Sequence, residues 1–421
     1  MKLSTRTWLA VFVAIGLLLR LGLAIRLGLN EPPRPGSDQY EFDTYAWNLA
    51  QGNGYRGLSP NVTDQNHLTA YRPPGVSAVW AGLYVVLGHR YDAVRITHCL
   101  VGALTILVVY AIGKRVFDQN VGLIAAGVFA VWPQSLLYSV GLQSEPLGTL
   151  SFLWALLECL RFAETLGWRR ALGAGLLLGY SILCRPAGFF MLPLVCIWVV
   201  WQFRHDLKSL RQACLIPIAA ILPFIPWTVR NYLVLGELVP ISTAGGSALL
   251  QGNNRIVATD PKYYGYCVWD TSIPEYREAI QAPNNEVERD RVAKRLAVEW
   301  LKGNPDKWLY LLQAKFRRSW TPILQQPSRL NRLVMLATWG PVLILFAAAY
   351  FPTLFLLLRG RHPGWLIHLA ILHYQVNSLV FYGSARYRYS IEGLCIILAA
   401  VAALWIWHPC WRSQDEPRQP N

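Results

Sequence analysis

The stretch YRPPGVSAVWAGLYVVL, residues 71–87, decides the topology of this chain. Its apolar part, Pro74 to Leu87, covers about 14 residues, whereas a helix crossing a roughly 30 Å hydrocarbon core needs about 20. A segment this short suits a helix lying at the interface. Charges in the flanking loops arbitrate. If 74–87 does not cross, Lys2, Arg6, Lys114, Arg115, Arg161, Arg169, Arg170, Arg204, Lys208, Arg211, Arg359, Arg361 and Arg412 gather on one side, the pattern of a cytoplasmic face. If it crosses, every group after the first pair changes sides. The segment is therefore read as interfacial, with both termini cytoplasmic.

Outward from it, apolar runs fall near 8–28, 95–113, 119–139, 146–162, 169–184, 187–203, 212–230, 333–358, 364–382 and 389–408. Each is long enough to be read as a span, which predicts an all-α polytopic membrane protein with about ten transmembrane helices. The first run has no small-residue cleavage site and Arg20 interrupts it, so it reads as a retained anchor rather than a signal peptide. Three regions follow from this reading. They are a transmembrane module over 1–230 with a first external loop at 29–94, an external subdomain over 231–332, and a C-terminal helical part over 333–421 with a short cytoplasmic tail. The subdomain opens with turn-rich sequence at 242–254. It continues with helical patterns through Val287, Val292, Leu296, Val298 and Trp300, then Trp308, Leu311 and Leu312.

Composition agrees. Of 421 residues, 54% are hydrophobic and 15% charged, against roughly 25% charged in average proteins. That excludes disorder, collagen and small disulfide scaffolds. The eight cysteines form no CxxC pair and lie mostly in apolar runs, so no redox or zinc framework is expected. The net charge of +15 is assigned to cytoplasmic loops and to an anionic, phosphate-bearing ligand, not to nucleic acid.

The middle of every predicted span lacks Asp and Glu; Glu158, Glu164 and Glu392 fall at or near predicted ends. Ion-coupled transporters commonly carry carboxylates at mid-membrane, so this pattern disfavours a transporter. Carboxylates cluster instead in the first external loop, at Asp38, Glu41 and Asp43. There Phe42, Ala46, Leu49 and Ala50 can form the apolar face of a helix lying on the membrane. Asp38 would sit at its N-terminus, as a cap, as a catalytic carboxylate, or as both.

Arg72 in the rigid Arg72-Pro73-Pro74-Gly75 box can bind a phosphate through two donors, or anchor at lipid headgroups. Arg185, Arg230, Arg386 and Arg388 join it at external span ends, against the positive-inside trend. As a set they point to an anionic ligand. Gly52-Asn53-Gly54-Tyr55-Arg56-Gly57 matches a dinucleotide fingerprint in letters only, since no strand precedes it, and reads as a turn. Asn61-Val62-Thr63 matches a glycosylation acceptor. His98, His368 and His373 read as hydrogen-bonded core residues.

With these residues in place, the chain resembles the GT-C glycosyltransferases, in the branch of protein O-mannosyltransferases and lipid A aminoarabinose transferases (RgtA/B/C/D-like, glycosyltransferase family 39 type). The resemblance rests on Asp38-xxx-Phe42-xxx-Ala46-xx-Leu49 with Gly52-Asn53-Gly54, the Arg72-Pro73-Pro74 box, and Ser144-Glu145-Pro146. Further along, Cys184-Arg185-Pro186, Pro226-Trp227-xx-Arg230-Asn231, Gly252-Asn253-Asn254 and Arg386-Tyr387-Arg388 continue it. Two departures stand out: Glu145 replaces an Asp common in relatives, and Ser390 and Ile391 follow where relatives often carry proline.

The resemblance implies a GT-C fold with two interfacial helices in the first external loop. It also implies transfer of a sugar, with inversion, from a polyprenyl-phosphate-linked donor to a hydroxyl of a glycan, lipid or protein acceptor. The site would face outward, or into the periplasm, from the plasma (inner) membrane. Asp38 is then the general base, with Glu145 orienting the acceptor or sharing that role. Glu41, Asp43, Tyr71, Arg72, Arg185, Arg230, Arg386 and Arg388 are the expected substrate-binding set. No metal site is assigned, although Asp38 and Glu145 leave Mg²⁺ or Mn²⁺ open without defining a coordination sphere. The competing reading is a non-enzymatic transporter or flippase of lipid-linked sugars.

Overall fold

A computed structural model describes residues 4–57, 67–322 and 329–407. Lys2, Arg412 and the Asn61–Thr63 acceptor motif lie outside the described residues. The described chain is helical; its one β pairing is an isolated bridge between Arg56 and Leu68. The helices are α1 (Thr5–Leu27), α2 (Asp38–Ala50), α3 (Gly75–Leu87), α4 (Tyr91–Val116), α5 (Gln119–Ala130), α6 (Pro133–Val140), α7 (Glu145–Thr165) and α8 (Trp168–Cys184). Next come α9 (Met191–Phe203), α10 (Leu207–Ala213), α11 (Leu215–Ile221) and α12 (Phe224–Leu235). The long segment after them carries α13 (Gly245–Gly252), α14 (Arg255–Thr259), α15 (Arg277–Gln281), α16 (Glu286–Gly303) and α17 (Trp308–Trp320). The chain returns through α18 (Arg329–Arg359), α19 (Leu366–Val380) and α20 (Ala385–Trp407).

Seven helical segments among the described residues are long and apolar enough to cross a membrane, and the bent pair α5–α6 makes an eighth if counted as one span. The runs expected at 169–184 and 364–382 are helical too. At 17 and 15 residues, however, α8 and α19 fall short of that length. α3 has 13 residues, which at about 1.5 Å per residue is too short to cross, as the sequence indicated.

The bend of 53° between α5 and α6 follows Pro133, which cannot donate to the preceding turn. Arg20 of α1 is wholly buried against that break. Its guanidinium donates to Ala130 O at 3.2 Å, Gly16 O at 2.7 Å, Ser135 Oγ at 2.5 Å and Ser139 Oγ at 3.1 Å. A cation inside the bundle thus meets a carbonyl at the bend, one from its own helix and two serine hydroxyls.

α2 and α3 form a hairpin seated on the end of the bundle. The buried face of α2 is Phe42, Asp43, Tyr45 and Ala46, whereas Leu49 is exposed. This rotates the expected apolar face by about one position, because Trp80 and Tyr84 of α3 offer Phe42 and Trp47 edge-on ring contacts. Gly75 explains the glycine of the Arg-Pro-Pro-Gly box. A Cβ there would lie 2.6 Å from the Leu183 carbonyl carbon, so only glycine lets α3 meet the end of α8, where Tyr180 Oη donates to Gly75 O at 3.1 Å.

Between α12 and α18, Leu250, Val257, Ile273, Ile280, Val292, Ala297, Trp300 and Leu311 build a separate apolar cluster. On α17 the apolar pattern is partly reversed. Trp308 and Leu312 are exposed while Lys315 is buried, its ammonium donating to Asn253 Oδ1, Leu379 O and Val380 O. The glycine-rich 52–57 segment is a turn, with Gly52, Gly54 and Gly57 at positive φ. His98, His368 and His373 are buried and hydrogen-bonded, as expected.

Candidate active site

Three helix starts and two turns converge at the end of the bundle that carries the α2–α3 hairpin. Ser37 is the N-cap of α2, its hydroxyl accepting from Tyr40 N at 3.3 Å. Asp38 is therefore relieved of capping and projects from the first turn. Pro73 and Pro74 stiffen the chain before α3 and fix Arg72 beside it, with the Tyr71 ring 5.1 Å and the Phe42 ring 5.8 Å from the guanidinium carbon. Glu145 and Arg386 occupy the first turns of α7 and α20. Arg185 leaves the end of α8 in an extended conformation. Gly148 makes room for it: a Cβ there would lie 2.9 Å from Arg185 Cγ and Cδ.

These five side chains and Glu41 form one line of alternating charge. Arg72 Nε donates to Glu41 Oε2 at 2.8 Å, and Arg72 Nη2 to Asp38 Oδ1 at 2.8 Å. Arg386 Nη1 donates to Asp38 Oδ2 at 2.6 Å, while Arg386 Nε donates to Glu145 Oε1. Arg185 Nη1 meets the same Glu145 oxygen at 2.9 Å and its guanidinium carbon lies 5.3 Å from the centre of the Tyr387 ring. Three carboxylates thus face three guanidiniums. Burial alone would favour a protonated Asp38, but Arg72 and Arg386 outweigh it and hold the carboxyl well below the usual range. At Glu41 burial prevails over its one arginine and the carboxyl is pushed up.

Four expected substrate-binding residues are placed differently. Asp43 turns to the other side of α2, where Oδ1 accepts from Tyr84 Oη at 2.7 Å and meets His89 Nε2 at 3.0 Å. Tyr71 is buried beneath Arg72. Arg230 ties α12 to the first loop by donating to Thr69 O at 2.8 Å and Tyr55 O at 3.0 Å. Arg388 is fully buried, donates to Ser319 O at 2.7 Å and Thr321 O at 2.9 Å, and lies 3.6 Å from Glu392. Glu392 sits two turns inside α20 because that helix begins at Ala385 rather than near 389. The sequence alone places it close to a span end.

Asp38 and Glu145 do not suit a divalent cation in this arrangement. Both Asp38 oxygens and Glu145 Oε1 are held by guanidiniums, and no group of three metal-ligating side chains occurs among the described residues. Beside Arg185 a cavity continues inward, lined among others by Gly148, Ser181, Gly188, His373, Asn377 and Tyr387.

Residues 71–229 match the family described as dolichyl-phosphate-mannose-protein mannosyltransferase. That segment holds the Arg72 box, Glu145 and Arg185. The whole described fold also aligns with the oligosaccharyltransferase AglB from Archaeoglobus fulgidus, solved with an inhibitory peptide and a dolichol-phosphate. Identity is 14%, with a TM-score of 0.58 over 99% of this chain and 52% of that one. The chain has the GT-C fold. A second structure of the A. fulgidus enzyme, tethered to an acceptor peptide, shares the GT-C architecture with a TM-score of 0.60, at 13% identity over 97% of this chain and 51% of that one. ArnT from Cupriavidus metallidurans, bound to undecaprenyl phosphate, aligns at 15% identity over 99% of this chain and 82% of its own, with a TM-score of 0.46. The chain spans about half the length of the archaeal enzyme. No curated protein matches it.

Within the GT-C frame, two contributors at the site escaped the sequence reading. Tyr387 covers Arg185, and Tyr382 meets Tyr387 hydroxyl to hydroxyl. Their aromatic character is visible in the sequence, but nothing in its spacing shows that they close on the cluster.

Proposed function

We propose that this GT-C protein is a membrane glycosyltransferase that moves a sugar from a polyprenyl-phosphate donor to an acceptor hydroxyl, inverting the anomeric carbon. The observation that carries this reading is the Asp38 carboxylate held between Arg72 and Arg386 at the end of a membrane bundle. The reaction needs a carboxylate to take the hydroxyl proton as the acceptor attacks. It also needs fixed cations where negative charge grows on the departing phosphate. Asp38 is the base. Arg72, Arg185 and Arg386 are the phosphate ligands. Glu145 keeps Arg185 and Arg386 pointed at one locus.

A lipid-phosphate donor is in line with the family matched over 71–229 and with the dolichol-phosphate that the archaeal AglB binds. The positive-inside distribution supports an outward-facing site in a plasma or inner membrane, with both termini cytoplasmic. The acceptor is a glycan, lipid or protein hydroxyl.

The test is lipid and glycan mass spectrometry on membranes carrying the wild-type or Asp38→Asn protein. Transfer predicts that the wild type releases free polyprenyl phosphate and a glycosylated acceptor, and that the variant accumulates intact donor. Movement of donor across the bilayer with its sugar–phosphate bond intact would instead identify a flippase and overturn this reading.

A further inference from the structure

The alternating line has two unlike ends. Asp38 and Glu145 each touch two guanidiniums, whereas Glu41 touches one, Arg72. Counting Glu41, Asp38 and Glu145 against Arg72, Arg386 and Arg185, the line is neutral. A phosphodiester entering it brings a charge with no counterpart, and its oxygens compete with the carboxylates for the same N–H donors.

Glu41 has least to fall back on. Its side chain is 12% exposed. Among the described residues, the ionisable groups around it are Asp38 and Tyr45 on its own helix, Arg72 and Tyr71 from the turn before α3, and Tyr55 from the first loop. Asp270, from the segment between α12 and α18, acts on Tyr71 from behind. Burial pushes all three phenols up, so they stay neutral, and Arg72 is the one cation among these neighbours. A buried carboxylate that loses its cation is strongly disfavoured unless it becomes neutral.

We propose that Glu41 takes up a proton when an anionic phosphate binds to Arg72, so that donor binding is coupled to protonation while Asp38 stays ionised for catalysis. This rests on the phosphate-donor reading above. The proton comes from solvent and forms an O–H bond on the Glu41 carboxylate. It offsets the single negative charge of the phosphodiester. Asp38 shares two guanidiniums, Arg72 and Arg386, with the incoming phosphate, whereas Glu41 has Arg72 alone, which is why the proton goes to Glu41.

The probe is farnesyl methyl phosphate, a phosphodiester whose charge does not titrate near neutrality. It is titrated into the full-length protein in nanodiscs with EDTA present, in Tris and in HEPES buffers at about pH 7.5. The difference in apparent binding heat between the buffers reports protons taken up. The expected result is an uptake approaching one proton per ligand, with affinity weakening about tenfold per pH unit on the alkaline side. Glu41→Gln should bind without uptake and with little pH dependence, and Asp38→Asn should keep the uptake. Binding without proton uptake would overturn the proposal, as would undiminished uptake in Glu41→Gln. If Glu41→Gln does not fold, the wild-type pH slope decides alone. No binding by folded wild type at any pH would overturn the phosphate-donor reading itself, and the coupling with it.

Discussion

Asp38 and Arg386 stand 348 positions apart, yet Asp38 Oδ2 and Arg386 Nη1 lie 2.6 Å from one another. Arg388, two residues further along α20, points into the bundle and is fully buried beside Glu392. The pair of arginines therefore separates function from stability. Arg386→Ala should lower transfer by about 10²–10³-fold, the usual cost of losing one charge-stabilising donor, with a smaller loss of stability than at Arg388, because Asp38 keeps Arg72 and Glu145 keeps Arg185. Arg388→Ala leaves Glu392 buried without its cation and should cost about 3–5 kcal/mol. Thermal melts in detergent beside a transfer assay will distinguish them, and equal melting temperatures for the two variants would contradict this division.

Asp38→Asn keeps the shape of the side chain and removes its basicity. Transfer should fall by about 10²–10⁴-fold while donor binding persists, because Arg72, Arg185 and Arg386 remain. Single-turnover rates at saturating donor measure this directly. Wild-type turnover by the variant would assign the base to another group.

Asp38 and Glu41 should answer to pH in opposite senses. The fold depresses the Asp38 carboxyl, so its ionised form stabilises the fold above the ordinary carboxylate value, and this is lost only as pH falls through the depressed one. The Glu41 carboxyl is raised, so its ionised form works against the fold at neutral pH and the cost vanishes once it is protonated. Near pH 7, Asp38→Asn should therefore lower the melting temperature and Glu41→Gln should hold or raise it. The Glu41→Gln gap to wild type should close as pH drops below about 4, near the ordinary glutamate value. Melting curves across that range provide the check.

Gly75→Ala tests the seating of the α2–α3 hairpin. The added methyl would press on the Leu183 backbone and should destabilise by about 1–3 kcal/mol. Because Arg72 precedes the same turn, transfer should fall alongside stability, whereas Gly82→Ala, with open space around it, should leave both unchanged.

Orientation is open to labelling. Both Asn53 and Gln119 are exposed, at opposite ends of the helices that connect them. In a cysteine-free background, Asn53→Cys should react with an impermeant maleimide from outside intact cells and Gln119→Cys only after permeabilisation. The reverse would place the site on the cytoplasmic face.

Much of the candidate site is legible in the sequence, because its members sit in short rigid motifs. Asp38, Arg72, Glu145 and Arg185 each follow or precede a proline, a helix start or a turn. What could not be read was direction. Asp38 and Glu41 are three apart and share a helix face, whereas Asp43 is five from Asp38 and falls on another. The sequence reading grouped all three. Arg386 and Arg388 are two apart, a spacing at which helical side chains do not face the same way, and no rule of composition says which of them meets the carboxylates. Lys315 was hidden for a related reason. On α17 the apolar residues Trp308 and Leu312 face outward and the lysine inward, because its three donors are met by one side chain and two carbonyls at the end of α19. At α8 and α19 the expected runs form helices of 17 and 15 residues, shorter than the other spans.

The line of charges also imposes a timetable on biosynthesis. Asp38 and Glu41 emerge from the ribosome before Glu145 and Arg185, and Arg386 follows them on α20. Until α20 is inserted, Asp38 lacks one of its two cations and Glu145 lacks one of its own, so neither has its final electrostatic surroundings. A nascent or truncated chain can hold every other part of the site and still be unfinished. Insertion of α20 is therefore the step that gives the line of charges its final form.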